Sequence, residues 1–434
     1  MSISNDTPVY AVPEETLVPV SSHLARMAPI PPSRMFLINK SLKVYQEKAP
    51  GEKVFDASQG DGGASLPGVS RQILERAAQM QVEHGTAYDM PYGTDAYRKT
   101  VVEKYWKLDA GSGLGPANVL GTAGGRDALV KAYQAMQALG HGREGDVIIV
   151  SRVPWISYNW GPYSIGANVL WAPGNPAAGW AYTEEGLRTA VEFAGRSGRK
   201  VAGLVITNPD NPTGLTTTVE RQVAMAKAAL EAGVAFVLFD WMYHYVTDEA
   251  PMDLNSFLPN FDAQERKHLM FLDGITKSLG ASNIRNCHLI ASKEVIKFIT
   301  ARASHTVMPT FYSLAVAMVA YEMGYAEASR SIVEPTNASR LVLKKYLEEN
   351  GITHIMGKGY YAFIDVGQWL DARGWADSEP LGQYLAEQHG VAIVPGAFFS
   401  PFGGRWVRFS YATPTRQTLG AAQRLLEGLN ALNR

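Results

Sequence analysis

The chain has 434 residues, of which 46% are hydrophobic and 19% charged, and its formal net charge is −1. This length favours a large core and more than one domain, and the near-neutral charge without a long basic run argues against nucleic-acid or membrane-surface partners. The lone cysteine, Cys287, excludes an intramolecular disulfide and a cysteine-based zinc site, and we expect no metal. Residues 1–16 have no signal pattern and no run approaches the roughly 20 apolar residues of a membrane span, so we expect a cytoplasmic protein.

The N-terminal part of the chain predicts an arm followed by a helix. Residues 1–20 are predicted to be a loose arm, and the prolines at 29, 31 and 32 predict an extended crossing. A helix is then expected to begin at Ser33. Residues 54–63 predict a short strand that runs into a glycine-rich loop containing Gly60.

Two further segments precede the central part of the chain. A helix is predicted over residues 70–80, and the sequence Y-D-M-P-Y-G-T-D-A-Y-R begins at Tyr88. The sequence G-T-A-G-G-R-D-A-L at residues 121–129 follows a short strand and opens a helix. Because glycines allow a tight turn and bring free N–H groups to a helix N-terminus, this segment is a natural phosphate site.

Three apolar runs then end in polar residues that carry chemistry. The first ends in N-P-D-N-P-T-G, which contains Asn211, and the second ends in D-W-M-Y, which begins at Asp240. The third leads to T-K-S-L-G, which contains Lys277, and Arg285 follows eight residues later. Buried parallel strands whose carboxyl ends face a ligand produce this pattern, so we expect these residues at one crevice.

These motifs, in this order and spacing, resemble the pyridoxal-phosphate enzymes of fold type I, and among them the class I and II aminotransferases. The resemblance extends from about Ser58 to Ala412. It implies a three-layer α/β fold with a mostly parallel sheet covered by helices on both faces, plus a smaller α+β domain. Alternating strands and helices after Val119 independently favour such a sheet. We expect residues 59–310 to form the large domain, residues 311–434 the small domain, and residues 1–58 an arm and part of the small domain.

The resemblance implies that Lys277 binds the aldehyde of pyridoxal 5'-phosphate through an imine and later moves a proton. It implies that Asp240 pairs with the pyridine nitrogen and that Trp155 stacks on the ring. Asn211 and Tyr243 match the positions that hydrogen-bond the ring oxygen.

The phosphate site implied by the resemblance departs from the family pattern at one residue. Arg285 matches the phosphate-binding arginine, and the backbone amides of Gly125 and Arg126 are expected to assist it. Relatives commonly have a serine three residues before the lysine, where this chain has Gly274. Thr276 or the Arg126 side chain is expected to compensate.

The resemblance also implies how substrate and a second subunit bind. Arg408 matches the arginine that holds the substrate α-carboxylate in two parallel hydrogen bonds. Gly60 and Asn211 are expected beside that carboxylate. Tyr88 matches a tyrosine that reaches the phosphate of the partner subunit, so we expect a homodimer.

The implied activity is amino transfer between an L-amino acid and a 2-oxo acid. A lyase, decarboxylase or oxidase on the same cofactor stays open, because the lysine, aspartate and arginine establish the cofactor and not the reaction. A non-catalytic regulatory module is disfavoured, since such proteins place a helix-turn-helix domain before this fold and only the segment up to about residue 58 precedes it here.

We predict a substrate with a neutral, apolar or aromatic side chain. Relatives specific for dicarboxylic acids supply a second arginine from the segment that corresponds to residues 304–312, which contains none. A preference for aspartate or glutamate would point instead to Arg302 or His305. Candidate pocket walls are Trp160, Phe311 and Tyr312, and ordinary core packing explains each of them about as well.

Overall fold

The computed structural model describes residues 4–18 and 30–433, so the predicted proline crossing lies partly outside the described residues, at Pro29. The strands of this part are, in chain order, β1 Val9–Tyr10, β2 Phe55–Asp56, β3 Val119–Thr122, β4 Val147–Val150, β5 Asn168–Trp171, β6 Val201–Thr207, β7 Val237–Asp240, β8 Leu269–Asp273, β9 Cys287–Ile290, β10 His354–Met356, β11 Tyr361–Asp365, β12 Val391–Ala392, β13 Val394–Pro395 and β14 Trp406–Ser410. The α-helices are α1 Met35–Lys48, α2 Arg71–His84, α3 Asp95–Thr100, α4 Gly125–Gly140, α5 Ile156–Trp160, α6 Glu184–Arg196, α7 Val219–Glu231, α8 Leu254–Phe257, α9 Lys293–Ala303, α10 Phe311–Glu322, α11 Tyr325–Glu349, α12 Gly367–Arg373, α13 Glu379–His389 and α14 Thr415–Ala431.

Among the described residues, eight strands form one sheet in the order β1-β5-β4-β6-β7-β8-β9-β3. The strands from β5 to β8 in this order pair in parallel, whereas β1 is antiparallel to β5. Strand β9 is antiparallel to both of its neighbours, β8 and β3. Because β9 reverses direction between them, β3 runs the same way as β8. The carboxyl ends of β3, β6, β7 and β8 therefore meet at one edge of the sheet.

The central strands are buried almost throughout, which is why they read as continuous apolar runs rather than as alternating patterns. Helices α4, α6 and α7 connect successive parallel strands, and α4 packs on β6, β8 and β9. Crossovers of this kind are the standard way to join parallel strands. The predicted α/β class with a mostly parallel sheet is confirmed.

A second, antiparallel sheet has the order β10-β11-β14-β13, and β2 pairs in parallel with β12 beside it. Helix α11 packs on α14 here, and α1 packs on α13. The segments before residue 58 thus contact elements near the C-terminus. The division of the chain at residues 58 and 310 stays a prediction.

One local prediction needs correction. Residues 9 and 10 are not part of a loose arm, because Val9 and Tyr10 pair with Trp171 and Leu170 at the edge of the large sheet. Helices α10 and α11 are separated by a turn at Gly324, which has a φ of +89°. No helix formed by residues 4–18 or 30–433 combines the length and apolar character that a membrane crossing requires.

Candidate active site

A cavity of about 540 Å³ opens at the carboxyl edge of the large sheet and is closed on one side by the antiparallel sheet. Asp240 ends β7 at this cavity, and Arg408 reaches it from β14. The predicted site residues that line it are Gly60, Gly125, Arg126, Trp155, Asn211, Asp240, Tyr243, Thr276, Lys277, Arg285 and Arg408. Of the predicted set, only Tyr88 lies elsewhere, on the surface with 95% of its area exposed.

Lys277 lies four residues beyond the end of β8 and is half-buried. Its amine donates a hydrogen bond to the carbonyl oxygen of Gly60 and lies 5.9 Å from the centre of the Tyr243 ring. The Lys277 carbonyl accepts a 2.6 Å hydrogen bond from the hydroxyl of Tyr360. The backbone of the lysine is therefore tied to the strand that carries Tyr361, and its amine faces the cavity.

Asp240 is a buried carboxylate at the end of β7. Its Oδ2 accepts a 2.6 Å hydrogen bond from the hydroxyl of Tyr158, and its Oδ1 accepts a 3.1 Å bond from the backbone N–H of Met242. Burial raises the pKa of Asp240 from 3.8 to about 6, and these two hydrogen bonds oppose the rise. A carboxylate in this state gains from a cationic partner in the cavity.

Arg408 forms the floor of the cavity nearest the antiparallel sheet. Its Nη1 donates to Oδ1 of Asn211 and its Nη2 donates to the carbonyl of Ser58, each at 2.9 Å. The guanidinium lies 4.2 Å from the centre of the Tyr361 ring. The Nε of Arg408 is buried and has no partner among the described residues. An unpaired buried donor of this kind can bind an anionic ligand.

Tyr361 and Tyr158 are site residues that sequence reasoning missed. Tyr361 exchanges a 3.0 Å hydrogen bond with the hydroxyl of Tyr243, and burial raises the pKa of Tyr243 well above its usual value. Tyr158 also accepts a 3.0 Å hydrogen bond from the hydroxyl of Thr207. The available signal for Tyr158 was its place three residues after Trp155 in one aromatic segment.

The N-terminus of α4 and Arg285 form the opposite end of the cavity. Arg285 has a φ of +61° and donates to the carbonyls of Ser282 and Ala123 at 2.8 and 3.3 Å. Gly124, the residue before α4, has a φ of +87°, and an added Cβ would lie 2.3 Å from Nη2 of Arg285. The glycine thus lets the Arg285 guanidinium lie directly against the N-terminus of α4, and a guanidinium beside helix N–H groups suits a phosphate.

The absence of a serine at residue 274 has a steric cause. A Cβ on Gly274 would lie 2.6 Å from Cα of Cys287 and 2.9 Å from the carbonyl oxygen of Asn286, both in backbone that cannot easily move. The hydroxyls of Thr276 and Ser282 line the same cavity. They are the available side-chain donors in place of a serine.

Trp155 and Arg126 form one wall of the cavity. The Arg126 guanidinium lies 5.7 Å from the Trp155 ring centre, and Trp155 meets Tyr158 edge to face at 5.5 Å. Among the described residues, Arg126 makes no ion pair. Apolar walls come from Met35, Leu129, Ile156 and Phe399.

The pocket walls predicted from the sequence are wrong. Trp160, Phe311 and Tyr312 do not line the cavity. Phe311 stacks on His84 at 3.7 Å, and Trp160 packs at 5.9 Å from Tyr163. Arg302 and His305 are also absent from its lining, and the Arg302 guanidinium lies 3.6 Å from the Phe298 ring.

The residues present fit pyridoxal phosphate. The cavity offers an amine at Lys277 for the aldehyde, a carboxylate at Asp240 for the ring nitrogen, and Arg285 with the α4 N-terminus for the phosphate. Within residues 4–18 and 30–433, no group of three or more His, Cys, Asp or Glu side chains is arranged to hold a metal ion.

The fold and this cavity define a pyridoxal-phosphate protein of fold type I. The family model described as aminotransferase class I and II matches residues 56–425. The chain therefore belongs to the class I and II aminotransferases and is a pyridoxal-phosphate-dependent transaminase.

Its relatives include the aspartate aminotransferase of Geobacillus stearothermophilus, 25% identical over 404 residues that cover 92% of this chain and 97% of that protein. The aspartate/prephenate aminotransferase of Thermus thermophilus is 26% identical over 92% of this chain and 96% of its own length. The structure of Thermus thermophilus aspartate aminotransferase with maleate superposes with a TM-score of 0.76 at 25% identity and covers 92% of this chain and 97% of that one.

Proposed function

We propose that the chain exchanges amino groups between an L-amino acid and a 2-oxo acid in the cavity that contains Lys277. The observation that carries this proposal is the convergence of the Lys277 amine, the Asp240 carboxylate and the Arg408 guanidinium on one cavity. Each group suits one need of the reaction: an amine to move a proton, a carboxylate for the ring nitrogen, and a cation for the substrate carboxylate.

Bound pyridoxal phosphate supplies an electron-withdrawing ring that makes the α-hydrogen of an amino acid acidic. With the cofactor bound, Nζ of Lys277 would take that proton from the substrate α-carbon. Asp240 would hold the proton of the ring nitrogen, with its carboxylate oriented by the Tyr158 hydroxyl. Tyr243 and Asn211 would hold the ring oxygen, and Trp155 would cover one face of the ring.

We assign the substrate α-carboxylate to Arg408. Its two terminal nitrogens already bond Asn211 and the Ser58 carbonyl, which fixes the plane of the guanidinium. The free Nε–H and a second N–H of one terminal nitrogen then form a fork for a carboxylate. A fixed carboxylate, with Gly60 beside it, aligns the α-carbon with the Lys277 amine.

We assign the phosphate to Arg285, the amides of Gly125 and Arg126, and the hydroxyl of Thr276. This set combines a guanidinium with the partial positive charge of a helix N-terminus. The hydroxyl of Ser282, which lines the same cavity, is an additional donor that sequence reasoning did not identify.

Two classes of substrate side chain compete. The neutral or aromatic side chain predicted from the sequence agrees with the apolar walls at Met35, Ile156 and Phe399. Arg126 favours an acidic side chain, because it is a cation in the cavity without an ion-pair partner among the described residues. The relatives named aspartate aminotransferase, one of them solved with maleate, also support an acidic substrate. We propose the acidic class, with Arg126 as the partner of the distal carboxylate.

The reaction is tested by incubating purified protein and pyridoxal phosphate with a panel of amino acids plus one 2-oxo acid and identifying products by mass spectrometry. Amino transfer yields a new amino acid from the 2-oxo acid, whereas elimination, decarboxylation or oxidation yields ammonia, carbon dioxide or hydrogen peroxide. Lys277→Ala is the inactive control. Absence of a new amino acid with every donor would contradict the proposal.

The substrate class is tested by comparing kcat/KM for aspartate, glutamate, leucine and phenylalanine with one acceptor. Arg126→Met is expected to lower kcat/KM for the acidic donors about 10- to 100-fold and to spare leucine, since a charge-assisted hydrogen bond contributes about 1.5–3 kcal/mol. Arg302→Met, outside the cavity, is the matched control. A preference of the unaltered protein for leucine or phenylalanine would support the neutral class instead.

We also propose that the active form is a homodimer, because the exposed Tyr88 matches a residue that acts across a subunit interface. The cytoplasmic location predicted from the sequence stays a prediction.

A further inference from the structure

A buried polar cluster lies behind the cavity and joins the two loops that carry its central residues. His244 follows Asp240 by four residues, and Asp273 precedes Lys277 by four. Nε2 of His244 lies 2.6 Å from Oδ2 of Asp273, and the side chains are only 2% and 1% exposed. The loop after β7 and the last residue of β8, from which the Lys277 loop starts, are therefore connected by one side-chain hydrogen bond.

The hydrogen bonds define the roles of both side chains. Nδ1 of His244 accepts a 3.0 Å bond from the backbone N–H of Met252, so the ring proton lies on Nε2 and is donated to Asp273. Asp273 also accepts from the hydroxyl of Tyr105 and, through Oδ1, from the N–H of Gly274 at 2.6 Å. The imidazole is thus neutral, and Asp273 is a carboxylate that accepts three hydrogen bonds.

No arginine or lysine among the described residues lies within salt-bridge distance of Asp273. Burial raises the pKa of the neighbouring Tyr321 and Tyr325 and lowers that of His288 to about 4, so these groups are uncharged at neutral pH. The titratable groups packed around the Tyr105 ring are His244, Tyr245, His288, Tyr321 and Tyr325. The cluster therefore has one net negative charge.

That charge acts on the cavity. The Asp273 carboxylate is one of the influences that raise the pKa of Asp240, although burial is the largest. A negative charge favours any cation near it, and the effect is large where water is excluded. The cofactor groups that would carry a proton are the ones that Asp240 and Lys277 would hold. The cluster joins the segments that carry these two residues.

We propose that His244 and Asp273 are positioning residues that hold the Asp240 and Lys277 loops together, and that the Asp273 charge keeps the bound cofactor protonated. This proposal rests on the proposed function only in requiring that pyridoxal phosphate binds at Lys277. Neither residue lines the cavity. They therefore act through the segments that they connect and through the electrostatic potential of the Asp273 charge.

The charge is tested on the holoprotein by titrating the absorbance of the Lys277-linked cofactor between pH 5 and pH 9. Asp273→Asn is expected to lower the apparent pKa of that absorbance by about one unit, because removal of a negative charge destabilises the protonated form. Tyr105→Phe is the matched control, since it removes a hydrogen bond from the same carboxylate and keeps the charge. If the unaltered protein and a folded Asp273→Asn variant had the same apparent pKa of the cofactor absorbance, the electrostatic role would be overturned.

The positioning role is tested with two substitutions of His244. His244→Gln retains an N–H that can reach Asp273, whereas His244→Leu does not. The dissociation constant of pyridoxal phosphate is expected to rise about 10-fold in His244→Leu, the effect of losing one buried hydrogen bond to a charged group, and to recover in His244→Gln. Equal dissociation constants in the two variants would overturn this role. This test does not depend on whether the Asp273→Asn variant folds. Because both tests follow the bound cofactor, they give an answer even if amino transfer is not the reaction.

Discussion

The hydroxyl of Tyr158 donates a 2.6 Å hydrogen bond to Oδ2 of Asp240, and both groups are buried at the cavity. Tyr158 comes from the segment after β4, whereas Asp240 ends β7, so the bond spans the strand between them. Burial raises the pKa of Tyr158 well above its usual value, which keeps the hydroxyl protonated as the donor. The carboxylate is thereby oriented before any cofactor binds.

Tyr158→Phe should lower kcat/KM about 10-fold, because a hydrogen bond to a charged group contributes about 1.5–3 kcal/mol. The ring remains, so packing against Trp155 is retained. Steady-state kinetics with a saturating acceptor measure the effect. Thr207→Val removes only the bond to the Tyr158 hydroxyl and should cost less; an equal loss in both would mean that the network, and not the Asp240 bond, is responsible.

Lys277→Ala should abolish the absorbance of the lysine-linked cofactor while the protein stays folded. Lys277 is the lysine that lines the cavity, and it lies there with Asp240 and Arg285. Visible absorbance after reconstitution and circular dichroism measure the two properties. Lys131, which pairs with Asp127 outside the cavity, gives the control Lys131→Met. Normal absorbance and turnover in Lys277→Ala would refute the assignment of the covalent lysine.

Asp240→Asn should bind the cofactor and lose most activity, since an amide does not hold the ring proton as a carboxylate does. Kinetics together with the cofactor dissociation constant separate these effects. Turnover close to that of the unaltered protein would mean that Asp240 has only a structural part.

The same substitution should stabilise the cofactor-free protein at neutral pH. The native state binds the Asp240 proton more tightly than the unfolded state, with a pKa of about 6 against 3.8. Between about pH 4 and pH 6 the native state therefore holds more protons, and the free energy of unfolding falls as pH rises. Above that window Asp240→Asn should recover up to on the order of 3 kcal/mol. Urea unfolding at pH 4 and pH 7.5 measures this, and the gain should be absent at pH 4.

Gly274→Ser should destabilise the fold by about 1–3 kcal/mol, because the added atoms press on the backbone of Asn286 and Cys287. Urea unfolding of the cofactor-free protein measures the loss without reference to activity. Gly115→Ala is the matched control, since an added Cβ there has nothing within 4 Å and its φ is −154°. A Gly274→Ser variant that is as stable as the control would show that the backbone can yield.

Tyr88→Phe should weaken cofactor retention in a dimer and leave the fold unchanged. The expected role needs the hydroxyl, and the exposed position of Tyr88 leaves it available to a second subunit. Sedimentation velocity gives the oligomeric state at assay concentration, and equilibrium dialysis gives cofactor affinity. Full activity in a demonstrated monomer would contradict the shared site.

The parallel strands and most cavity residues were predictable because each central strand is a continuous apolar run that ends in its own motif. The helix predicted over residues 70–80 corresponds to α2, Arg71–His84, since Ser70 caps it as a serine before a helix usually does. Strand β1 was not predictable, because a strand of two residues is too short to show an alternating hydrophobic pattern. It forms by pairing with Trp171 and Leu170, which are distant in sequence. The prediction of the pocket walls was wrong for a related reason, because Phe311 stacks on His84, which is distant in sequence.

The antiparallel sheet carries Arg408 and Tyr361, whereas Asp240 ends β7 of the large sheet and Lys277 lies in the loop after β8. Tyr361 lies opposite Ser410, two residues from Arg408, so both side chains move with one rigid ladder. Substitutions in β14 should therefore retune donor selectivity and KM, whereas substitution of Tyr361 in β11 should also change the cofactor spectrum through Tyr243. Laboratory evolution of new donors can begin in β14, with the spectrum as an independent check that the catalytic lysine is intact.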